Sequence, residues 1–169
     1  MTMLRADLGA DAAQFESLIA GVEATYAPPA PIPLTERQAA VWEAIKSERD
    51  RRASLGVKVG SHWFHSDQTS RTQQLGLVLL GSNIPAGLWW KTLTITPPPV
   101  FVTMTPALAQ NIVAAAAASD AAIFTAAEQH RIALESSSDP ENYDFSVGWP
   151  TSIEDEANEA GITFDQSLL

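Results

Sequence analysis

Apolar residues recur at helical spacing in Phe15, Leu18, Ile19, Val22 and Tyr26, with acids on the opposite side. The pattern predicts an amphipathic helix over residues 11–26. Its stripe needs a partner, either the body of the same protein or a neighbouring subunit in which the helix acts as an anchor. Four prolines then fall in six positions (Pro28, Pro29, Pro31, Pro33), a density that forbids helix and gives an extended, semi-rigid connector. A second helix is predicted from an N-cap at Thr35 to about Leu55, with Val41, Trp42, Ala44 and Ile45 on its apolar face. Its last turns, KSERDRR, alternate in sign, the mark of a solvated face carrying spaced ion pairs.

Gly56 stops that helix, and VKV-GS-HWFH reads as a short β-hairpin turning at Gly60 and Ser61. Asp67 or Ser66 can cap the next helix, and Asp67 and Arg71 stand at the i, i+4 spacing that pairs a carboxylate with a guanidinium. The second half of this helix, with Leu75, Leu77, Val78, Leu79 and Leu80, is apolar almost all round, which predicts burial on several sides. Two short strands, Leu88–Thr94 and Val100–Met104, flank the bend of Pro97 to Pro99. Thr105 and Pro106 then give a cap and first turn for the longest helix, running to about Glu135. Along it Ile112, Ala116, Ser119, Ile123, Ala127, His130 and Leu134 form a seam of mostly small residues, suited to close packing against the chain's own helices or against another copy. The Asp139-Pro140 and Gly148-Trp149-Pro150 steps predict loop, tied down by Tyr143, Phe145 and Trp149, and residues 151–169 read as a mobile acidic tail.

Composition narrows the chemistry. The 169 residues, 46% of them hydrophobic, suffice for one domain with appendages, and the absence of cysteine excludes disulfides, thiolate metal sites and cysteine nucleophiles. No apolar run approaches a bilayer-spanning length, and the N-terminus has neither the basic start nor the apolar stretch of a signal peptide. A net charge of −10 argues against nucleic-acid or anionic-membrane binding. The charge is also lopsided: seven of the ten basic residues lie between positions 37 and 71, and eleven acids lie from Asp120 onward. The acidic tail is therefore either simply solvated or docked on a basic surface, its own or a partner's.

Catalytic patterns are lacking. His62 and His65 would point to opposite faces of a strand, so with Asp67 they do not make a metal site without a sharp bend. Ser66, His65 and Asp67 are neighbours in sequence, which is not the convergence a nucleophilic triad requires. The glycine steps carry no P-loop lysine, and the tail's paired acids have nothing to fix their separation. Trp63, Phe64, Trp89 and Trp90 suit either a core or the anchor of a protein interface.

The segments ERDRR, GVKVGSHWFHSD, SR, IPAGLWWKT and FVTMTPALA, in this order and followed by the alanine-rich helix, resemble a domain of unknown function found in tailed-phage tail proteins and tail-fibre gene neighbourhoods of phages and prophages. The resemblance covers about residues 36–135, with a weaker echo in DPENYDFSVGWP; TLTITPPPV stands where a short polar turn is expected. It implies a structural or assembly role in the phage tail, with no catalytic residues and no cofactor to carry over.

The expected fold is α+β and predominantly α, with three to four helices and one or two small hairpins. The expected organisation is an N-terminal helix over 1–27, a proline linker over 28–34, the tail-associated domain over 35–150 and the acidic tail over 151–169. The expected function is that of a non-enzymatic virion protein of the tail tip, baseplate or fibre attachment. A fibre-assembly chaperone and, more remotely, a host-glycan hydrolase are the alternatives. Other tail or tail-fibre proteins are the expected partners, without nucleic acid or membrane; homo-oligomerisation is the alternative to internal packing for the alanine seam. The protein would act in the virion after assembly in the host cytoplasm. Phe15, Leu18, Ile19, Val22 and Tyr26 are the expected partner-binding stripe; Gly60, Trp63, Phe64, Asp67 and Arg71 are expected to be structural.

Overall fold

A computed structural model describes residues 16–17 and 32–169, so the expected anchoring stripe of Phe15, Leu18, Ile19, Val22 and Tyr26 lies outside the described residues. From Leu34 onward the chain forms a unit of its own. Its elements are α1 (Leu34–Ser54), β1 (Val57–Val59), β2 (His62–Phe64), α2 (Gln68–Leu80), β3 (Trp89–Lys91), β4 (Phe101–Thr103), α3 (Pro106–Glu135) and α4 (Ile153–Glu159). Single 3-10 turns lie at Gly81–Asn83, Pro140–Asn142 and Gln166–Leu168. Among the described residues this is the expected α+β architecture, four helices with two two-stranded antiparallel sheets.

The axis of the unit is α3. Thr105 caps it by accepting the Leu108 N–H at 3.1 Å, and Pro106 fills the first turn, where a missing N–H costs nothing. The expected seam faces inward: Ile112, Ala116, Ile123, Ala127, His130 and Leu134 are buried, and Ser119 is half-buried. α1, α2 and β1 pack against this helix, so the small residues serve close approach within the chain. By length and composition α3 could cross a bilayer, which the sequence reading of apolar runs missed. Its apolarity comes largely from alanine, and its inward face is taken by its own neighbours.

The first hairpin pairs Val57 with Phe64, Lys58 with Trp63 and Val59 with His62. Gly60 opens the turn at φ 61°, a conformation that glycine takes without strain. The second hairpin pairs Trp89 with Thr103, Trp90 with Val102 and Lys91 with Phe101. Both strands are shorter than the expected Leu88–Thr94 and Val100–Met104, with single main-chain bonds from Thr92 to Val100 and from Met104 to Leu88 just beyond their ends. A bridge from Trp63 to Leu93 links the two hairpins, with Leu93 N–H donating to the Trp63 carbonyl at 2.8 Å.

Three buried clusters hold the unit. One joins Val57, Phe64, Leu77, Met104 and Ile112 under the hairpins, and another joins Ile45, Ala127 and Leu134 with the half-buried Trp42, Tyr143 and Trp149. The third joins Leu55, Trp63 and Leu93 to Ile153, Ala157 and Phe164.

Three expectations need correction. α1 begins at Leu34, one residue before the expected Thr35 cap, within the usual blur of helix ends. The apolar half of α2 is buried on one side only: Leu77 is 8% exposed, but Leu75, Leu79 and Leu80 are 51%, 82% and 46% exposed, because α3 covers one face and nothing among the described residues covers the other. Residues 151–169, expected as a mobile tail, are docked, with Ile153 and Ala157 at 0% exposure. A capping box starts α4: the Ser152 hydroxyl accepts the Asp155 N–H, and the Asp155 carboxylate accepts the Ser152 N–H.

Candidate functional site

The residues singled out between Gly56 and Arg71 form a junction of α1, the first hairpin, α2 and α3. Ser66, 3% exposed, donates its hydroxyl to the Ala53 carbonyl at 2.7 Å and accepts the Gly56 N–H at 2.9 Å, closing the end of α1. Asp67 caps α2 by accepting the N–H groups of Thr69 and Ser70 at 2.9 and 3.1 Å. The expected Asp67–Arg71 pair does not form. Arg71 instead grips Asp120 of α3 bidentately at 2.6 and 2.8 Å and donates to the Ser66 and Ala53 carbonyls. Asp67 Oδ1 is taken up by the cap, and the guanidinium pins the three helices α1, α2 and α3 to one another and to the loop at Ser66. Trp63 and Phe64 are buried in two different clusters, as strand alternation requires.

The histidines do not converge. His62 Nδ1 lies 3.3 Å from Ser61 Oγ, while His65 Nδ1 lies 3.2 Å from the Leu169 carbonyl oxygen. Burial and nearby Lys91 push the His65 pKa down, against the pull of the Leu169 carbonyl and Asp67. Among the described residues no three histidines or carboxylates are grouped to hold a metal ion. His130 is a centre that no motif announces. It is 8% exposed, bonds Tyr143 Oη at 2.8 Å and lies 5.1 Å, centroid to centroid, from the Trp149 ring. Its inward seam position was the only signal, and its effect is to anchor the loop after α3.

Two of the open apolar stretches lie on α2 and on the second hairpin. Leu75 on α2 borders a cleft of about 210 Å³ against Val113, Ala116 and Ala117 of α3, which Arg71 and Asp120 also line, and Leu79 stands open on the same helix. On the second hairpin Trp89 is 71% exposed and stacks at 6.4 Å on the half-open Phe101, so the tryptophans divide, Trp63 to the core and Trp89 to the surface.

Residues 36–147, about two thirds of the chain, match the family described as a domain of unknown function, DUF4376. The chain belongs to this family. No curated protein and no solved structure matches it. The DUF4376 stretch takes in nearly all of α1, both hairpins, α2 and α3, and it ends before α4. Two of the three buried clusters therefore lie within it almost entirely, while the third needs Ile153, Ala157 and Phe164 from beyond it.

That third cluster is bordered by charge. Arg51 binds Glu48 at 2.7 Å and Glu154 of α4 at 2.6 Å, and Arg52 binds Glu48 at 2.7 Å and approaches Asp155 at 3.4 Å. Lys58 pairs with Glu156, whose other oxygen accepts Trp63 Nε1–H at 2.9 Å. The bond from Lys58, aided by Trp63 and opposed by burial, lowers the Glu156 pKa. Burial works to raise that of Asp155, but bonds from Ser152 and the charge of Arg52 hold it low. The KSERDRR face is thus only partly solvated: its arginines carry the docked acidic segment.

Proposed function

We propose that this DUF4376 protein is a non-enzymatic structural component of the bacteriophage virion, at the tail tip, baseplate or tail-fibre attachment, acting through protein–protein contacts. The observation that carries this reading is the exposed Trp89–Phe101 pair, joined by the uncovered leucines of α2. A small acidic domain gains nothing in solubility from presenting an open tryptophan and three open leucines. Exposed aromatics beside apolar surface suit the buried anchors of a protein interface. The resemblance of ERDRR, GVKVGSHWFHSD and IPAGLWWKT to a phage tail-associated domain supplies the setting. The net charge of −10 favours protein partners over nucleic acid or anionic lipid.

Mass spectrometry of purified particles tests the reading. A structural component appears in fixed copy number. Its absence from particles, together with capture by unassembled fibre proteins in infected-cell extracts, would transfer the assignment to an assembly chaperone. Turnover of host surface polysaccharide by the isolated chain would overturn both.

A further inference from the structure

Everything after Pro150 is held to the body by side chains. The N–H groups of Glu156, Ala160, Ile162 and Leu169 donate to carbonyls of Ser152, Glu156, Ala157 and Gln166, all inside the segment. Among the described residues no main-chain-to-main-chain hydrogen bond connects 151–169 to the rest of the chain. A segment whose main-chain bonds are all its own can leave its site as a unit without breaking a backbone ladder; here the main chain offers the body one group, the Leu169 carbonyl beside His65. The offered side chains are matched in kind: Ile153, Ala157 and Phe164 meet Leu55, Trp63 and Leu93, while Glu154 and Glu156 meet Arg51 and Lys58.

The two halves of this contact are separable along the chain. Every groove residue lies within the family stretch of 36–147, and the segment lies beyond it. Between them Val147 is 64% exposed and Gly148 takes φ 86°, while Trp149 is fixed against His130. Release after Pro150 thus leaves the His130–Trp149 packing in place.

We propose that residues 151–169 are an exchangeable docking ligand for the groove of Arg51, Leu55, Lys58, Trp63 and Leu93, and that in assemblies of this chain the ligand of one copy seats in the groove of a second copy. The second copy is the occupant because it carries the same ligand, matched to the groove in charge and apolar spacing. Reciprocal exchange repeats the same contact twice and closes as a two-fold pair. A short connection gives the chain's own ligand an effective concentration of about millimolar, so exchange belongs to the crowded setting of an assembled structure. The proposal stands apart from the tail assignment, since it concerns contacts between copies of this chain wherever the protein works.

Two full-length variants test it by reversing charge on one side each: Arg51→Glu with Lys58→Glu, and Glu154→Lys with Glu156→Lys. In either variant alone, groove and ligand repel; across the two, they attract. Native mass spectrometry of the equimolar mixture is expected to show a 1:1 pair that disperses at raised salt. Two differently isotope-labelled samples of the same variant are expected not to pair. If both variants keep the wild-type circular dichroism and the mixture holds no salt-sensitive pair, or if like pairs form equally well, the proposal fails. Should either variant not fold, hydrogen exchange on the wild-type chain decides: opening of 151–169 while α3 stays protected supports an exchangeable ligand, and exchange of the segment only together with α3 overturns it.

Discussion

At Gly56 the backbone leaves α1 for β1 with φ 101°, and a Cβ built there would lie 2.6 Å from Leu93 Cδ1 and 2.9 Å from the Phe64 carbonyl oxygen. Leu93 could shift, but the carbonyl belongs to the hairpin and cannot. Gly56→Ala combines left-handed strain with overpacking and is expected to cost about 2–4 kcal/mol, read as a lower urea midpoint at unchanged slope. Arg71 matters for a different reason. Arg71→Met strands the Asp120 carboxylate and two backbone carbonyls, for an expected loss of about 2–4 kcal/mol, whereas Asp120→Asn keeps one of the two acceptor oxygens and leaves the guanidinium its bonds to Ser66 and Ala53, for an expected cost of about 1 kcal/mol. A double-mutant cycle over the two positions should show strong coupling. The Asp67 cap was readable from sequence because a cap is defined by its immediate neighbours. The Arg71 partner was not, since Asp120 is 49 positions away and spacing rules reveal only local pairs.

Elements whose signals are local came through the sequence reading intact: the Gly60 turn, the Asp67 cap and the Thr105-Pro106 start of α3. α2 and α4 did not, because in both cases the answer lay in what stands opposite. The leucines of α2 have a partner on one side only, so Leu79→Lys is expected to change stability by no more than about 0.5 kcal/mol in thermal or urea unfolding. In α4, the acidic run Glu154 to Glu156 hides the two inward positions, Ile153 and Ala157, and the opposing arginines are a hundred residues upstream. This contact carries a pH dependence whose sign is fixed. The folded pKa of Glu156 is held below its ordinary value of 4.5, chiefly by Lys58, so its contribution is whole above pH 4.5 and drains away as pH falls through the folded value. The folded pKa of His65 lies below 6.5, chiefly through burial, so protonation opposes the fold as pH falls from 6.5 through the folded value. Both act in the same direction. On acidification, amides of 151–169 are expected to lose hydrogen-exchange protection in two stages, slightly below pH 6.5 and further below pH 4.5.

For the molecule as a whole, stability and the proposed recognition fall to different residues. Trp63 and Phe64 build clusters; Trp89 and Phe101 do not, so replacing both with alanine is expected to leave the unfolding midpoint nearly unchanged while weakening capture of neighbouring tail proteins in a pull-down at least tenfold. Trp63, Phe64, Trp89 and Trp90 read alike in the sequence, since aromatic character suits core and interface equally, and nothing there says which would be covered. The docked C-terminal segment also has a mechanical consequence. Tension between the ends of α3, about 45 Å long at 1.5 Å per residue, loads its contacts with α1 and α2 in shear, so many must give way together. Tension applied at Leu169 peels side-chain contacts from the groove one after another, with no shared backbone bonds to resist it. The chain therefore has a strong direction and a weak one, and a pull at Leu169 detaches residues 151–169 while the three-helix body stays folded.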